Sequence, residues 1–136
     1  IIMTKLGIYV HIPYCISKCR YCDFVSRPIS SCKNNIDSYF INLQKEINLA
    51  GTKYKDKYLV DTIFFGGGTP TAIDAEYITS TLNSIKTNFL VEDNAEISLE
   101  GNPGTLSAGK LLTYKNALNF SCLRIFESNE CFIIFY

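Results

Sequence analysis

LVDTIFFGGGTPT, residues 59–71, is the stretch on which the fold turns. Leu59 to Phe65 is rich in β-branched and aromatic side chains and reads as a strand, halted by three consecutive glycines. Downstream, Ile78, Leu82, Ile85 and Phe89 share one helical face, so a helix is expected from about Ala75 to Phe89 with Asp74 as its cap. Upstream, Ile36, Tyr39, Phe40, Leu43 and Ile47 recur at three- and four-residue spacing, predicting a helix from about Asn35 to Ala50 with Gly51 at its stop. Gly7 to Pro13 (GIYVHIP) reads as an earlier strand, and the alternating Ala95 to Glu100 (AEISLE) as a later one. A third helix is expected to start near Ser107 and to run past Leu111 and Leu112. Strand, helix, strand, helix, strand, helix is the order of an α/β fold with a parallel sheet and right-handed crossovers.

In such folds ligands gather at the carboxyl ends of the strands. The cysteine cluster Cys15, Cys19, Cys22 follows the first strand, the glycine run follows the second, and Glu100 ends the third. All three unusual features are therefore expected on one rim. Composition narrows the function classes further. The 136 residues carry 13 Lys+Arg against 13 Asp+Glu, which argues against a nucleic-acid partner recruited by bulk charge. An apolar fraction of 47% fits a packed globular chain, and no apolar run approaches the roughly 20 residues of a membrane span. The first residues lack the regions of a signal peptide, so a cytoplasmic location is expected.

Clustered thiols in a reducing compartment more often hold metal or do redox chemistry than form disulfides. Cys32, Cys122 and Cys131 are scattered and read as ordinary buried or semi-buried thiols. Within the cluster, Lys18 and Arg20 favour thiolate. Structural zinc wants four ligands, so Asp23 or His11 would have to complete it, whereas an iron–sulfur cluster on three cysteines leaves one iron open to an outside ligand. Spacing leaves both open. Gly66-Gly67-Gly68-Thr69-Pro70-Thr71 has no lysine after the glycines and fails the Rossmann spacing, because Thr71 stands where the last glycine belongs. It is either a tight strand exit or a backbone cradle for a small polar ligand other than a nucleoside phosphate. Glu100 shares a strand face with Ser98 and Glu96; it is either a solvated strand end or an acceptor for a ligand amine or hydroxyl. His11 reads as a packed structural histidine, and Tyr9 and Tyr21 as core aromatics or a ligand wall.

Tyr9 to Cys15 (YVHIPYC), continuing through Cys19 to Tyr21-Cys22-Asp23-Phe24, resembles the cluster loop of the radical S-adenosylmethionine (SAM) superfamily, in its oxygen-independent coproporphyrinogen oxidase-like branch. Phe65 to Thr71 and Ile97 to Glu100, with Asn102-Pro103-Gly104, resemble that branch's next two motifs, and the likeness runs from about Leu6 to Lys115. The resemblance implies a 4Fe–4S cluster on Cys15, Cys19 and Cys22, with SAM chelating the open iron and cleaved reductively to a 5′-deoxyadenosyl radical. It implies SAM contacts at Tyr9, Tyr21, Gly67, Gly68, Thr69 and Glu100. It also implies an electron donor such as flavodoxin or ferredoxin, and porphyrin or haem as a partner of the full-length protein. True decarboxylating oxidases carry a fourth cysteine one residue beyond the third; here Asp23-Phe24 follow Cys22, the form of the haem-chaperone (HemW) type. The oxidase is the runner-up, and a small zinc-binding module is the rival from another class.

The same resemblance implies a partial TIM-type (β/α)6 barrel, of which this chain holds about the first three βα units; a complete eight-unit barrel takes about 250 residues. Residues 1–116 are expected to be the N-terminal half of a radical SAM core domain, inactive alone. Residues 117–136 are expected to be an atypical tail, out of frame or prematurely ended, with a fourth strand beside strand three as the lesser alternative. Ile1 and Ile2 ahead of Met3 are read as the start of a translated fragment.

Overall fold

Alternate apolar positions of the strands at Thr4–Ile12, Tyr58–Gly67 and Val91–Gly101 bury one face against helices, and the ends of those strands carry the candidate site. The structure is a computed structural model that describes residues 2–16, 27–32, 35–118, 122–127 and 130–134. In chain order the elements are β1 (Thr4–Ile12), β2 (Tyr14–Cys15), β3 (Arg27–Pro28), α1 (Ile29–Cys32), α2 (Ile36–Tyr54), β4 (Tyr58–Gly67), α3 (Ala75–Asn88), β5 (Val91–Gly101), α4 (Ala108–Leu118), β6 (Cys122–Glu127) and β7 (Glu130–Ile134). The main sheet runs β1-β4-β5-β6-β7, with the first three pairings parallel and the last antiparallel. A two-stranded parallel pair, β2 with β3, joins Tyr14 to Arg27 and Cys15 to Pro28. The α/β order expected from the sequence is thus observed, three βα units with a fourth strand after them.

Val10, Ile12, Ile63, Phe65, Ile97 and Leu99 are all buried on the helix-covered face, against Ile78, Leu82 and Ile85 of α3, Phe40 and Ile47 of α2, and Tyr114 of α4. The opposite face, the interior side in a barrel, carries Tyr9, His11 and Phe64; Tyr9 stacks on Phe64 with ring centroids 5.8 Å apart. It is also the face of Glu96, Ser98 and Glu100, where Ser98 Oγ donates to Glu96 Oε1 at 3.0 Å.

Element boundaries shift where packing outweighs local signals. Gly51 does not stop α2, which continues to Tyr54. Gly51 is buried where α2 crosses α3: a Cβ there would stand 2.7 Å from both the Cβ and the carbonyl oxygen of Asn88. The glycine serves close helix approach rather than termination. Asp74 does occupy the N-cap of α3, yet its side chain makes no capping hydrogen bond; its backbone carbonyl accepts from Tyr77 N–H at 3.2 Å. Ser107 fills that role for α4, with Oγ accepting from Lys110 N–H at 3.2 Å. The strands are longer than the alternation suggests, and β4 runs into the glycine run itself.

The sheet also continues beyond residue 116. β6 lies parallel to β5, from Ser98 against Cys122 to Gly101 against Ile125, and β7 pairs antiparallel with β6. The strand beside strand three is therefore 122–127, and the apolar run beginning at Cys131 lies one position farther out. Backbone pairing at the open edge of β5 is what recruits this segment.

Candidate functional site at the carboxyl rim

Parallel register brings the strand ends together. His11 pairs with Gly66 and Ile12 with Gly67, while Phe65 pairs with Leu99, so the ends of β1, β4 and β5 lie side by side. Cys15, the glycine run and Glu100 therefore do meet on one rim.

The glycine run bends over the end of β1. Gly67 has φ of +118°, backbone that L side chains rarely adopt, and its N–H donates to Glu100 Oε2 at 3.2 Å. Gly68 N–H donates to Ile12 O at 2.8 Å and Thr69 N–H to Tyr14 O at 2.6 Å. The three successive amides are thus committed inside the protein, to one carboxylate and two backbone carbonyls. A ligand that itself donates, such as an ammonium group, is the kind this arrangement suits.

Close approach makes these glycines specific. A Cβ at Gly66 would meet Phe64 at 2.5 Å, Glu100 Oε2 at 3.0 Å and Tyr9 at 3.1 Å. One at Gly67 would meet the His11 ring at 2.7 Å, and one at Gly68 would meet Tyr14 O at 2.5 Å and Cys15 Sγ at 2.9 Å. His11 is partly buried as expected of a packed histidine, with Nδ1 3.1 Å from the Tyr9 hydroxyl and its carbonyl accepting from the Tyr39 hydroxyl. Tyr9 is 56% exposed, so it is not a core aromatic. Burial, and secondly the negative charge of Glu100, push its phenol above the usual tyrosine range.

Cys15 is a free thiol, 8% exposed, with Sγ 3.8 Å from the Thr69 hydroxyl. Cys19, Tyr21 and Cys22, with Lys18, Arg20 and Asp23, lie outside the described residues. Among the described residues no three His, Cys, Asp or Glu side chains converge as a metal site. The part that is described fits a thiolate-held cluster: a soft donor at the rim, uncommitted to any disulfide, over a glycine that any side chain would crowd.

A brace behind the glycine run was not legible in the sequence. Thr71 is fully buried in the 3-10 turn Pro70–Ala72. Its hydroxyl contacts that of Thr105 and accepts from Asn102 N–H at 3.1 Å, and its carbonyl accepts from Lys110 Nζ at 2.6 Å. Asn102 Oδ1 in turn accepts from Gly104 N–H at 2.9 Å. The Asn102-Pro103-Gly104 segment and the first turn of α4 thus hold the loop from below. The signal available was a Thr after each of two strand ends, with Asn102 and Lys110 after the second, which spacing alone does not pair.

Comparison with known proteins gives concordant results. Residues 9–123 match the family model described as the radical SAM superfamily. The chain is 40% identical over 118 residues to the haem chaperone HemW of Haemophilus influenzae, covering 85% of this chain and 30% of that protein. It is 34% identical over 117 residues to HemW of Escherichia coli, with the same two coverages. An oxygen-independent coproporphyrinogen III oxidase of Mannheimia haemolytica is 34% identical over 98 residues, 72% of this chain and 66% of that one. Among solved structures, the radical SAM enzyme coproporphyrinogen III oxidase (HemN) of Escherichia coli superposes with a TM-score of 0.80 at 27% identity, over 90% of this chain and 28% of that one. This chain spans under a third of the length of the HemW relatives it matches.

Proposed function

Because the chain belongs to the radical SAM superfamily, we propose that it is the N-terminal part of a HemW-type protein of haem and porphyrin metabolism. In this reading Cys15, Cys19 and Cys22 hold a 4Fe–4S cluster, and Tyr9, Tyr21, Gly67, Gly68, Thr69 and Glu100 line the SAM site. The observation that carries it is the meeting of Cys15, the glycine run and Glu100 on one rim, tied together by the Gly67–Glu100 and Thr69–Tyr14 hydrogen bonds.

When bound, the cluster supplies the electron that cleaves SAM reductively. The chain's own residues have simpler tasks. Glu100 fixes the Gly67 amide and sets a negative charge beside Tyr9, complementary to a ligand ammonium. Tyr9, stacked on Phe64, offers an aromatic wall with a protonated hydroxyl. Gly66, Gly67 and Gly68 let the ligand approach backbone rather than side chains. An electron donor of the flavodoxin or ferredoxin class and a cytoplasmic location belong to the proposal. Among the described residues no helix is long and apolar enough to cross a membrane.

The HemW type is favoured over the oxidase because Asp23-Phe24 follows Cys22 and no cysteine stands at the next alternate position. The likeness to the Mannheimia oxidase keeps the oxidase as the second reading. The remainder of the relatives' length is the proposed seat of haem or porphyrin binding, so the 136-residue chain is expected to show neither turnover nor haem transfer.

Anaerobic reconstitution with ferrous iron and sulfide tests the cluster. Iron with acid-labile sulfide, and an electron paramagnetic resonance signal on reduction that Cys15→Ala abolishes and Cys32→Ala leaves intact, is the expected result. Stoichiometric zinc without sulfide would replace this reading with a zinc-binding module.

A further inference from the structure

The half-buried Thr69 side chain is turned onto the thiol of Cys15, with Oγ1 3.8 Å from Sγ. We propose that Thr69 is a positioning residue for the cluster, its hydroxyl donating to the Cys15 sulfur and thereby setting the reduction potential. This rests on the proposal that Cys15 is a cluster ligand.

Three features argue for it. The Thr69 backbone is pinned on both sides, its N–H donating to Tyr14 O at 2.6 Å and its carbonyl accepting from Ala72 N–H at 2.8 Å. Residue 69 is thus locked to Tyr14, the residue beside Cys15, across 55 positions of sequence. The β-branched side chain then has few rotamers to choose from, so the hydroxyl is held where it is. Finally, Gly68 lets Sγ come this close, since a Cβ there would stand 2.9 Å from the sulfur. The separation is long for a neutral thiol, which is a weak acceptor. A metal-bound thiolate carries negative charge and draws a donor more strongly.

The couple is a one-electron reduction: the oxidised cluster takes one electron from a chemical reductant, and the added negative charge spreads over its sulfurs. A donor on one of those sulfurs stabilises the reduced form more than the oxidised one, and hydrogen bonds to sulfur are among the levers that set such potentials. Removing it lowers the potential. The hydroxyl oxygen keeps its lone pairs, so the role is compatible with a SAM contact at the same residue.

The test is a redox titration, followed by electron paramagnetic resonance, of the reconstituted 136-residue chain without SAM. Thr69→Val and Thr69→Ala should both assemble the cluster but reduce it roughly three- to tenfold less favourably at a given potential, at about 59 mV per tenfold for one electron. Thr69→Ser should return to the wild-type potential. Variants that assemble the cluster and titrate with the wild type would overturn the inference and leave the cluster reading standing. Variants that fail to assemble beside a wild type that does would also overturn it, giving the hydroxyl an assembly role instead. A wild type with no cluster would bring down the reading on which the inference rests.

Discussion

Gly68→Ala probes the strand–loop junction most directly. Its Cβ would lie 2.5 Å from Tyr14 O and 2.9 Å from Cys15 Sγ, against the 3.4 Å at which ordinary contact begins. The first obstacle is backbone and cannot rotate away, so β2 or the glycine run has to move. Either movement stretches Thr69 N–H to Tyr14 O, now 2.6 Å, and Gly68 N–H to Ile12 O, now 2.8 Å. Overpacking of this kind costs about 1–3 kcal/mol and one weakened buried hydrogen bond about 1 kcal/mol. The stiffer unfolded chain returns about 0.4–1 kcal/mol. The net expectation is about 1–3.5 kcal/mol, a large share of the stability of a small domain. Urea unfolding followed by circular dichroism reads the stability, and iron content after anaerobic reconstitution reads the thiol. Gly7→Ala is the control, because its Cβ would meet only the Thr62 hydroxyl, at 2.9 Å, and that side chain can turn. A Gly68→Ala chain that unfolds with the Gly7→Ala chain and takes up as much iron as the wild type would refute the packing argument.

Glu100→Gln keeps an acceptor for the Gly67 amide but removes the charge, so folding should be nearly unchanged. The response of the reduced cluster's spectrum to SAM should need about ten- to a hundredfold more SAM, corresponding to about 1.5–3 kcal/mol for a charge-assisted hydrogen bond. Stability should also fall at high pH. Burial foremost, then the charges of Tyr14, Glu46 and Tyr9, raises the Tyr39 phenol to about 12, while the unfolded phenol titrates at its ordinary value of 10.0. The neutral form is thus favoured in the folded state, its contribution is complete below that ordinary value, and it is lost as the pH climbs toward 12. Urea midpoints across this range should drop less steeply for Tyr39→Phe; equal slopes would count against the assignment. Deleting residues 117–136 bares the β5 edge from Ser98 to Gly101, where β6 pairs. Soluble yield should decrease, and an unchanged monomeric product would show the added strands to be dispensable.

Local periodicity carried most of the architecture. Alternation over Ala95 to Glu100 and three- and four-residue recurrence over Ile36 to Ile47 are properties of neighbouring residues. They therefore announce strand and helix without knowledge of the rest of the chain. Their order requires a parallel sheet, and a parallel sheet places Cys15, the glycine run and Glu100 on one rim. The family likeness was legible for the same reason, since its motifs are contiguous stretches. What local pattern could not supply was contact between distant positions. Gly51 looks like a helix stop until α3 is seen to lie against it, and β6 finds its place only because β5 offers unpaired backbone. The Lys110 ammonium on the Thr71 carbonyl and the Thr69 hydroxyl on the Cys15 sulfur join residues 39 and 54 positions apart. No spacing rule relates such pairs. They exist because the strands bring their ends within a few ångströms, and the chemistry of the rim is decided there.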